Sequence, residues 1–260
     1  MKIAALVKQV VDVDQIKADK EGGLLLGNIP LKISNYDKNA VEAAVQLKEK
    51  NPGTEVIAVA TGPNIKDGVK EVLAMGCDRA VVMNAKEFPE SDNLATSRVI
   101  AKMIQKIGGV DLVIMGEGSL DSYSGLMGAR LSERLGGWPM SSFTVKIEHA
   151  ANSLKATSNL GGVLETLEMP LPAVITVSEE INQPRLPPLI QILQAGKKPV
   201  QEFKLADLGL GANEIGAAGS GNAVVSNRAP KMARKNVRIK GTPEEAAAQL
   251  AQALRKEGVV

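Results

Sequence analysis

Asp111-Leu112-Val113-Ile114-Met115-Gly116-Glu117-Gly118-Ser119-Leu120-Asp121-Ser122-Tyr123-Ser124-Gly125-Leu126-Met127-Gly128 joins an apolar run to a polar, glycine-rich loop and then to a helical pattern. Asp111 to Met115 reads as a strand buried on both faces, as in a parallel sheet. Gly116 to Ser124 is the loop, and Gly125 to Leu135 reads as a helix. Glycines there let backbone N–H groups approach an anion closely, and the helix N-terminus adds a favourable dipole. Ser119, Ser122 and Ser124 can donate to phosphate oxygens. The loop matches neither a P-loop nor a G-x-G-x-x-G fingerprint. Spacing therefore leaves phosphate binding and a plain strand-to-helix turn both open.

The same alternation extends outward in both directions. Ile3 to Val7, Glu55 to Ala60 and Ala80 to Met83 are further buried-strand runs. Between them Ala40, Ala43, Ala44 and Leu47 repeat at helical spacing, with Glu42, Lys48 and Glu49 off that face. Ile65, Val69, Val72 and Leu73 mark a second helix ending at Gly76, and Leu94 to Ile107 a third, stopped by Gly108-Gly109. Strands alternating with such helices predict right-handed crossovers and a parallel sheet, an α/β fold. Ligands of such sheets bind outside the carboxyl ends of the strands. Three loops fall there: Lys8 to Asp12, Thr61 to Asn64, and Gly116 to Gly128.

From about Ser141 the pattern changes. Ser142 to His149 and Leu154 to Asn159 read as an antiparallel pair joined at Ala151-Asn152-Ser153, and Ala173 to Val177 as a last core strand. Beyond Glu180 periodicity fades. Gln183 to Pro188 holds three prolines, and Leu205 to Asn227 is rich in Gly, Ala and Asn. Thr242 to Leu254 reads as a helix with Thr242 as N-cap, Pro243 in the first turn and Glu245 closing a capping box. An arm of this kind is expected to form little core of its own and to wrap a partner, the alternative being a floppy tail. Leu186, Leu189 and Ile190 to Leu193, bounded by Pro187-Pro188 and Lys197-Lys198, form a short apolar helix candidate. It reads either as a docking site or as a helix folded back on the core.

Composition narrows the function. Hydrophobic residues are 44% and charged residues 23% of the 260, as in an ordinary globular protein. A net charge of +2 and only 2% aromatics argue against nucleic-acid binding. One cysteine, Cys77, and one histidine, His149, allow neither an internal disulfide nor a Cys/His zinc site. Cys77 reads as a small packed residue and His149 as a surface residue. Asp12, Asp14 and Asp19 are interleaved with Lys17 and Lys20, the pattern of a solvated loop, and no metal site is expected. Met1 to Val10 lacks the features of a signal peptide, and no run reaches the roughly 20 apolar residues of a membrane span. A cytoplasmic protein is the expectation, and catalytic constellations are mostly absent, so no catalytic residue is singled out.

Together, several blocks resemble the electron-transfer flavoprotein beta subunits. Lys8-Gln9-Val10-Val11-Asp12 resembles the family's Lys-x-Val-x-Asp start. Ser34-Asn35-Tyr36-Asp37, followed by Ala40-Val41-Glu42-Ala43-Ala44, resembles its first turn and helix. Val59-Ala60-Thr61-Gly62-Pro63, Leu73-Ala74-Met75-Gly76-Cys77-Asp78-Arg79, and Glu165-Thr166-Leu167 with Leu171-Pro172-Ala173-Val174-Ile175-Thr176 continue the series in order. Asn182-Gln183-Pro184-Arg185 precedes the place of the partner-recognition loop.

The resemblance implies a Rossmann-like, adenine-nucleotide-binding α/β domain over residues 1–185. Residues 186–260 would then be a recognition segment and a C-terminal arm around an alpha subunit. The alpha subunit of such a heterodimer holds most of the redox FAD. The beta subunit binds AMP, or a second FAD in the electron-bifurcating type. Carried over, the cofactor contacts are Leu6, Lys8, Ser34, Asn35, Tyr36, Asp37, Thr61 and Gly116. The loop adds Asp121, Ser122, Tyr123, Ser124, Gly125, Leu126, Met127, Gly128, Ala129 and Arg130. Val13 and Tyr36 fall where the redox flavin is approached, and Leu189 at the anchor for flavin dehydrogenases of the acyl-CoA type. Tyr123 and Leu126 stand where the family often has Asp and Gln, which favours AMP. A nucleotide sensor of the universal-stress type and an ATP-dependent ligase are the competing readings. The long arm speaks against the first, and the lack of a phosphate-loop lysine against the second.

Overall fold

Apolar runs in the sequence become the inner strands of a single large sheet. The computed structural model describes residues 1–62, 65–84, 88–150, 152–230 and 234–260. Pro63 and Asn64 of the second expected loop, and Ala151 of the expected hairpin turn, lie outside the described residues. Among those described, nine strands form the main sheet: β1 (Lys2–Val7), β2 (Glu55–Thr61), β3 (Arg79–Met83), β4 (Leu112–Gly116), β5 (Met140–Ala150), β6 (Ser153–Asn159), β7 (Leu164–Pro170), β8 (Ala173–Val177) and β9 (Val200–Glu202). Their order is β7-β6-β5-β8-β4-β1-β2-β3-β9. Only the β5–β6 and β6–β7 pairs are antiparallel. The remaining neighbours run parallel. This is the expected α/β, Rossmann-like architecture.

β4 and β8 are buried at every residue. That burial is why they read as uninterrupted apolar runs without alternation. Helices cover both faces: α1 (Asn35–Lys50), α2 (Ile65–Met75), α3 (Asn93–Ile107), α4 (Met127–Arg134) and the short α5 (Leu189–Ala195). Ile3, Ala5 and Val7 of β1 join the core under α1 and α2, with Ala40, Ala44, Val69 and Val72. Ala4 and Leu6 join the core under α3 and α4, with Val99, Met103 and Leu131. α4 begins two residues later than its pattern suggests, because Gly125 sits in the left-handed region at φ +64°.

The structure corrects the sequence reading in three places. β7 and β9 are strands that no periodicity announces. β7 is an edge strand exposed along nearly its whole length, and β9 is three exposed residues at the opposite edge. The stretch after Glu180 contributes core: Phe203, Leu208, Leu210 and Ile215 are buried in the cluster that includes α3. His149 is half-buried, with Nδ1 2.9 Å from Asn51 Oδ1. Cys77 is packed as expected, and burial pushes its thiol up to about 12.

Residues 1–17 and 25–227 make one compact unit; residues 18–24 and 228–260 make a second. In the second, Ala229 N donates to Gly22 O at 2.8 Å and Gly23 pairs with Arg228. Its helix α6 (Pro243–Lys256) starts at the anticipated capping box: Glu245 N donates to Thr242 Oγ1 and Thr242 N to Glu245 Oε2. No described residue of α6 is buried in this chain.

Candidate functional site

The chain runs from β1 to β2 and β3 on one side, then returns to β4 on the other side of β1. The carboxyl ends of β1 and β4 are therefore a topological switch point, where open α/β sheets form ligand crevices. A cavity of about 420 Å³ lies there. Of the expected contacts, Leu6, Lys8, Asp37, Thr61, Gly116, Asp121, Ser122, Ser124, Gly125 and Met127 line it.

Asp37 is the hinge of the arrangement. It lies in the first turn of α1, buried, and its carboxylate accepts from Lys8 N at 2.7 Å and Gly116 N at 3.2 Å. One side chain thus joins the ends of β1 and β4. Burial pushes this carboxyl from 3.8 up to about 7, against the pull of those two N–H groups. Native Asp37 therefore keeps a proton that the unfolded chain has already released. Stability present at low pH should fall as pH rises from about 4 through about 7, then level off. At ~1.4 kcal/mol per unit the drop is on the order of a few kcal/mol. Urea titrations of wild type and Asp37→Asn across that window measure it. The wild-type profile should carry an extra fall that the variant lacks; parallel profiles would show an ordinary carboxylate.

Lys8 ties the loop to β1. Its Nζ lies 2.8 Å from both Asp121 oxygens and 3.3 Å from Ser119 Oγ. Burial acts to raise Asp121, but Lys8 and Ser119 outweigh it and hold the carboxyl below its ordinary range. Ser119 Oγ donates to Asp121 at 2.6 Å and meets Ser122 Oγ at 3.0 Å, while Asn93 Nδ2 donates to Ser124 Oγ at 2.8 Å. The three serines expected to meet phosphate are thus already part of a polar network around the cavity. Thr61 also lines the cavity, and its buried Oγ1 has no hydrogen-bond partner among the described residues.

Other expected contacts sit beside the cavity rather than in its lining. Tyr36 and Tyr123 pack ring to ring at 5.4 Å, and the Tyr123 hydroxyl donates to Glu117 Oε1. That bond and partial burial push the Tyr123 phenol up to about 12. Gly118 leaves room for the Tyr123 ring, which a Cβ would approach to 2.6 Å. Asn35, Leu126 and Ala129 are exposed, and Val13 and Arg130 half-buried. Ser34 is fully buried at the start of α1. Gly128 packs on Thr176, where a Cβ would come within 2.6 Å.

Sequence reasoning misses a fourth wall, the β3–α3 connection. Ser91, Asp92, Asn93 and Thr96 line the cavity, with Val224 from the later chain. Asp92 Oδ1 caps α3 through Leu94 N and Ala95 N, and Oδ2 accepts from Gly221 N at 2.9 Å. Burial would raise this carboxyl, yet the backbone donors hold it below its usual range. The signal was available: Ser91-Asp92 just ahead of an apolar helical repeat is an N-cap at a strand's carboxyl end.

α5 lies away from the cavity. Leu189 is 72% exposed, and Leu186, Ile190, Ile192 and Leu193 are exposed as well. Only Ala195 of this helix is buried, so its large apolar side chains are not folded back on the core.

Fold and cavity together define a doubly wound α/β protein with a ligand crevice at its switch point. The family model described as the electron transfer flavoprotein domain matches residues 27–208. The match spans well over half of the chain, and the chain belongs to the electron transfer flavoprotein family. Among the described residues no helix is long and apolar enough to cross a membrane, and no group of three His, Cys, Asp or Glu is placed to hold a metal ion.

Proposed function

We propose that this chain is the beta subunit of a heterodimeric electron-transfer flavoprotein, working in the cytoplasm as a carrier and making no bonds itself. The family match carries the reading, and the resemblance of the blocks from Lys8 to Arg185 to beta subunits supports the choice of subunit. The redox FAD, held mainly by the alpha subunit, supplies the electron-accepting chemistry. The switch-point cavity takes AMP. Lys8 and the loop from Asp121 to Gly125 would face its phosphate, and the Thr61 hydroxyl, without a partner among the described residues, is a further polar group for it. Gly116 and Gly118 keep the walls free of side chains where Tyr36 and Tyr123 already crowd.

AMP is favoured over a second FAD because the acid and amide of the bifurcating-type loop are replaced by Tyr123 and Leu126. Neither residue lines the cavity: Tyr123 is committed to Tyr36 and Glu117, and Leu126 is 48% exposed. The exposed apolar α5, led by Leu189, docks a flavin dehydrogenase of the acyl-CoA type. Acid extraction of the complex co-purified with its alpha subunit, followed by chromatography, tests the cofactor reading. One AMP and one FAD per heterodimer are expected; two FAD and no AMP overturn it.

A further inference from the structure

α5 is only seven residues long and almost wholly exposed, and helices shorter than about 12–15 residues are marginal in water without tertiary support. Beyond the contact that buries Ala195 in the core, its support is placed at its two ends. Ahead of it, Arg185 grips α1 with its whole guanidinium. Nε and Nη2 donate to Glu42 at 2.7 and 3.0 Å, and Nη1 and Nη2 to Glu49 at 2.6 and 3.1 Å. Such forked pairs fix direction as well as distance. Glu42 is 4% exposed. Burial alone would push its carboxyl up; Arg185 holds it below its ordinary range. Three residues earlier, Asn39 and Asn182 exchange hydrogen bonds, Nδ2 to backbone oxygen in both directions, at 2.8 and 3.0 Å. Pro184, Pro187 and Pro188 stiffen the run from this grip to Leu189.

Behind α5, Lys198 Nζ donates to Leu73 O at 2.8 Å and Cys77 O at 2.7 Å. Those carbonyls belong to the last turn of α2 and to the second residue beyond it, where the end-of-helix acceptors and the helix dipole both favour a cation. The two grips therefore attach the exposed helix to two helices of the main core, beside the buried Ala195 and without using any of its large apolar side chains.

We infer that Arg185 and Lys198 are positioning residues that hold α5 pre-formed for an incoming flavin dehydrogenase, an inference that rests on the docking role proposed for α5. A docking element ordered before encounter loses less conformational entropy on binding. Loosening either grip should weaken the partner's hold while leaving electron transfer within the bound complex intact.

The test uses the alpha–beta complex with an acyl-CoA dehydrogenase as reductant, and reads KM for the dehydrogenase and kcat separately. Glu49→Gln opens the exposed half of the Arg185 grip without stranding the buried Glu42, and Lys198→Met removes the other grip. Each should raise KM about three- to tenfold, with kcat, flavin and nucleotide content kept. Leu189→Ala serves as the reference for docking itself. If Leu189→Ala raises KM and neither grip variant does, the positioning inference is wrong and the docking role stands. If Leu189→Ala leaves KM unchanged, the docking role falls and takes the inference with it. Should Lys198→Met fold poorly, Glu49→Gln decides alone: a lower melting temperature with unchanged KM assigns the grip to stability only.

Discussion

Leu189→Ala should slow reduction of the complex by a flavin dehydrogenase about 10–150-fold at dehydrogenase concentrations below KM, while the melting temperature stays at the wild-type value. The two halves of this expectation have separate causes. Leu189 is 72% exposed, so truncation opens no cavity and breaks no packing within the chain. In a docked complex the same side chain enters a partner pocket, and full burial of a leucine supplies roughly 1.5–3 kcal/mol. At ~1.4 kcal/mol per decade that is the stated range. The neighbouring Ile190, Ile192 and Leu193 remain, so residual docking is expected. Stopped-flow flavin bleaching and a thermal melt measure the two halves. A variant that melts several degrees lower, with an unchanged rate per folded molecule, would make Leu189 a packing residue and end the docking role.

How much of this was legible in the sequence depends on what each residue's neighbours are. Strands buried on both faces announce themselves, because both sets of alternating side chains must be apolar; β1, β2, β4 and β8 were readable to within a residue or two. β7 carries Glu165, Thr166 and Glu168 in the open at the sheet edge, so no face imposes a pattern on it. The buried Phe203, Leu208, Leu210 and Ile215 are spaced by turns rather than by a helix or strand period, and isolated apolar residues among Gly and Asp carry no periodic signal. At the site, the loop from Gly116 to Gly128 stood out through its position after an apolar run. The Asp37 carboxylate joining two strand ends did not. Its role depends on Lys8 and Gly116, which are 29 and 79 residues away along the chain. Asp92 shows both kinds of information. Its cap on α3 is local and readable, whereas its hold on Gly221 comes from 129 residues away and is visible only in the fold.

Gly116→Ala should be the most damaging single methyl group in the site. The residue ends β4, pairs with Val177 of β8, and its N–H donates to Asp37. An added Cβ would stand 2.5 Å from Tyr36 Cβ, 2.8 Å from the Tyr36 backbone carbon and 2.9 Å from Asp37 Oδ1. Two of these three are fixed by the backbone of α1, so no rotamer change relieves the contact. α1 itself is seated by Ala40, Val41 and Ala44 in the core, which leaves its first turn little freedom to retreat. Overpacking of this kind costs ~1–3 kcal/mol and occasionally more. For a chain of this size that corresponds to a fall of about 2–12 °C in melting temperature. The shift falls on the bond that holds the ends of β1 and β4 together, so the cavity between them should lose its nucleotide as well. Gly27→Ala is the matched control, since a Cβ there meets nothing within 4 Å. Melting temperature and extractable nucleotide should both drop for Gly116→Ala and hold for Gly27→Ala. A Gly116→Ala protein that keeps both at the control's level would mean that α1 yields to the methyl group and that the Asp37 bridge does not shape the cavity.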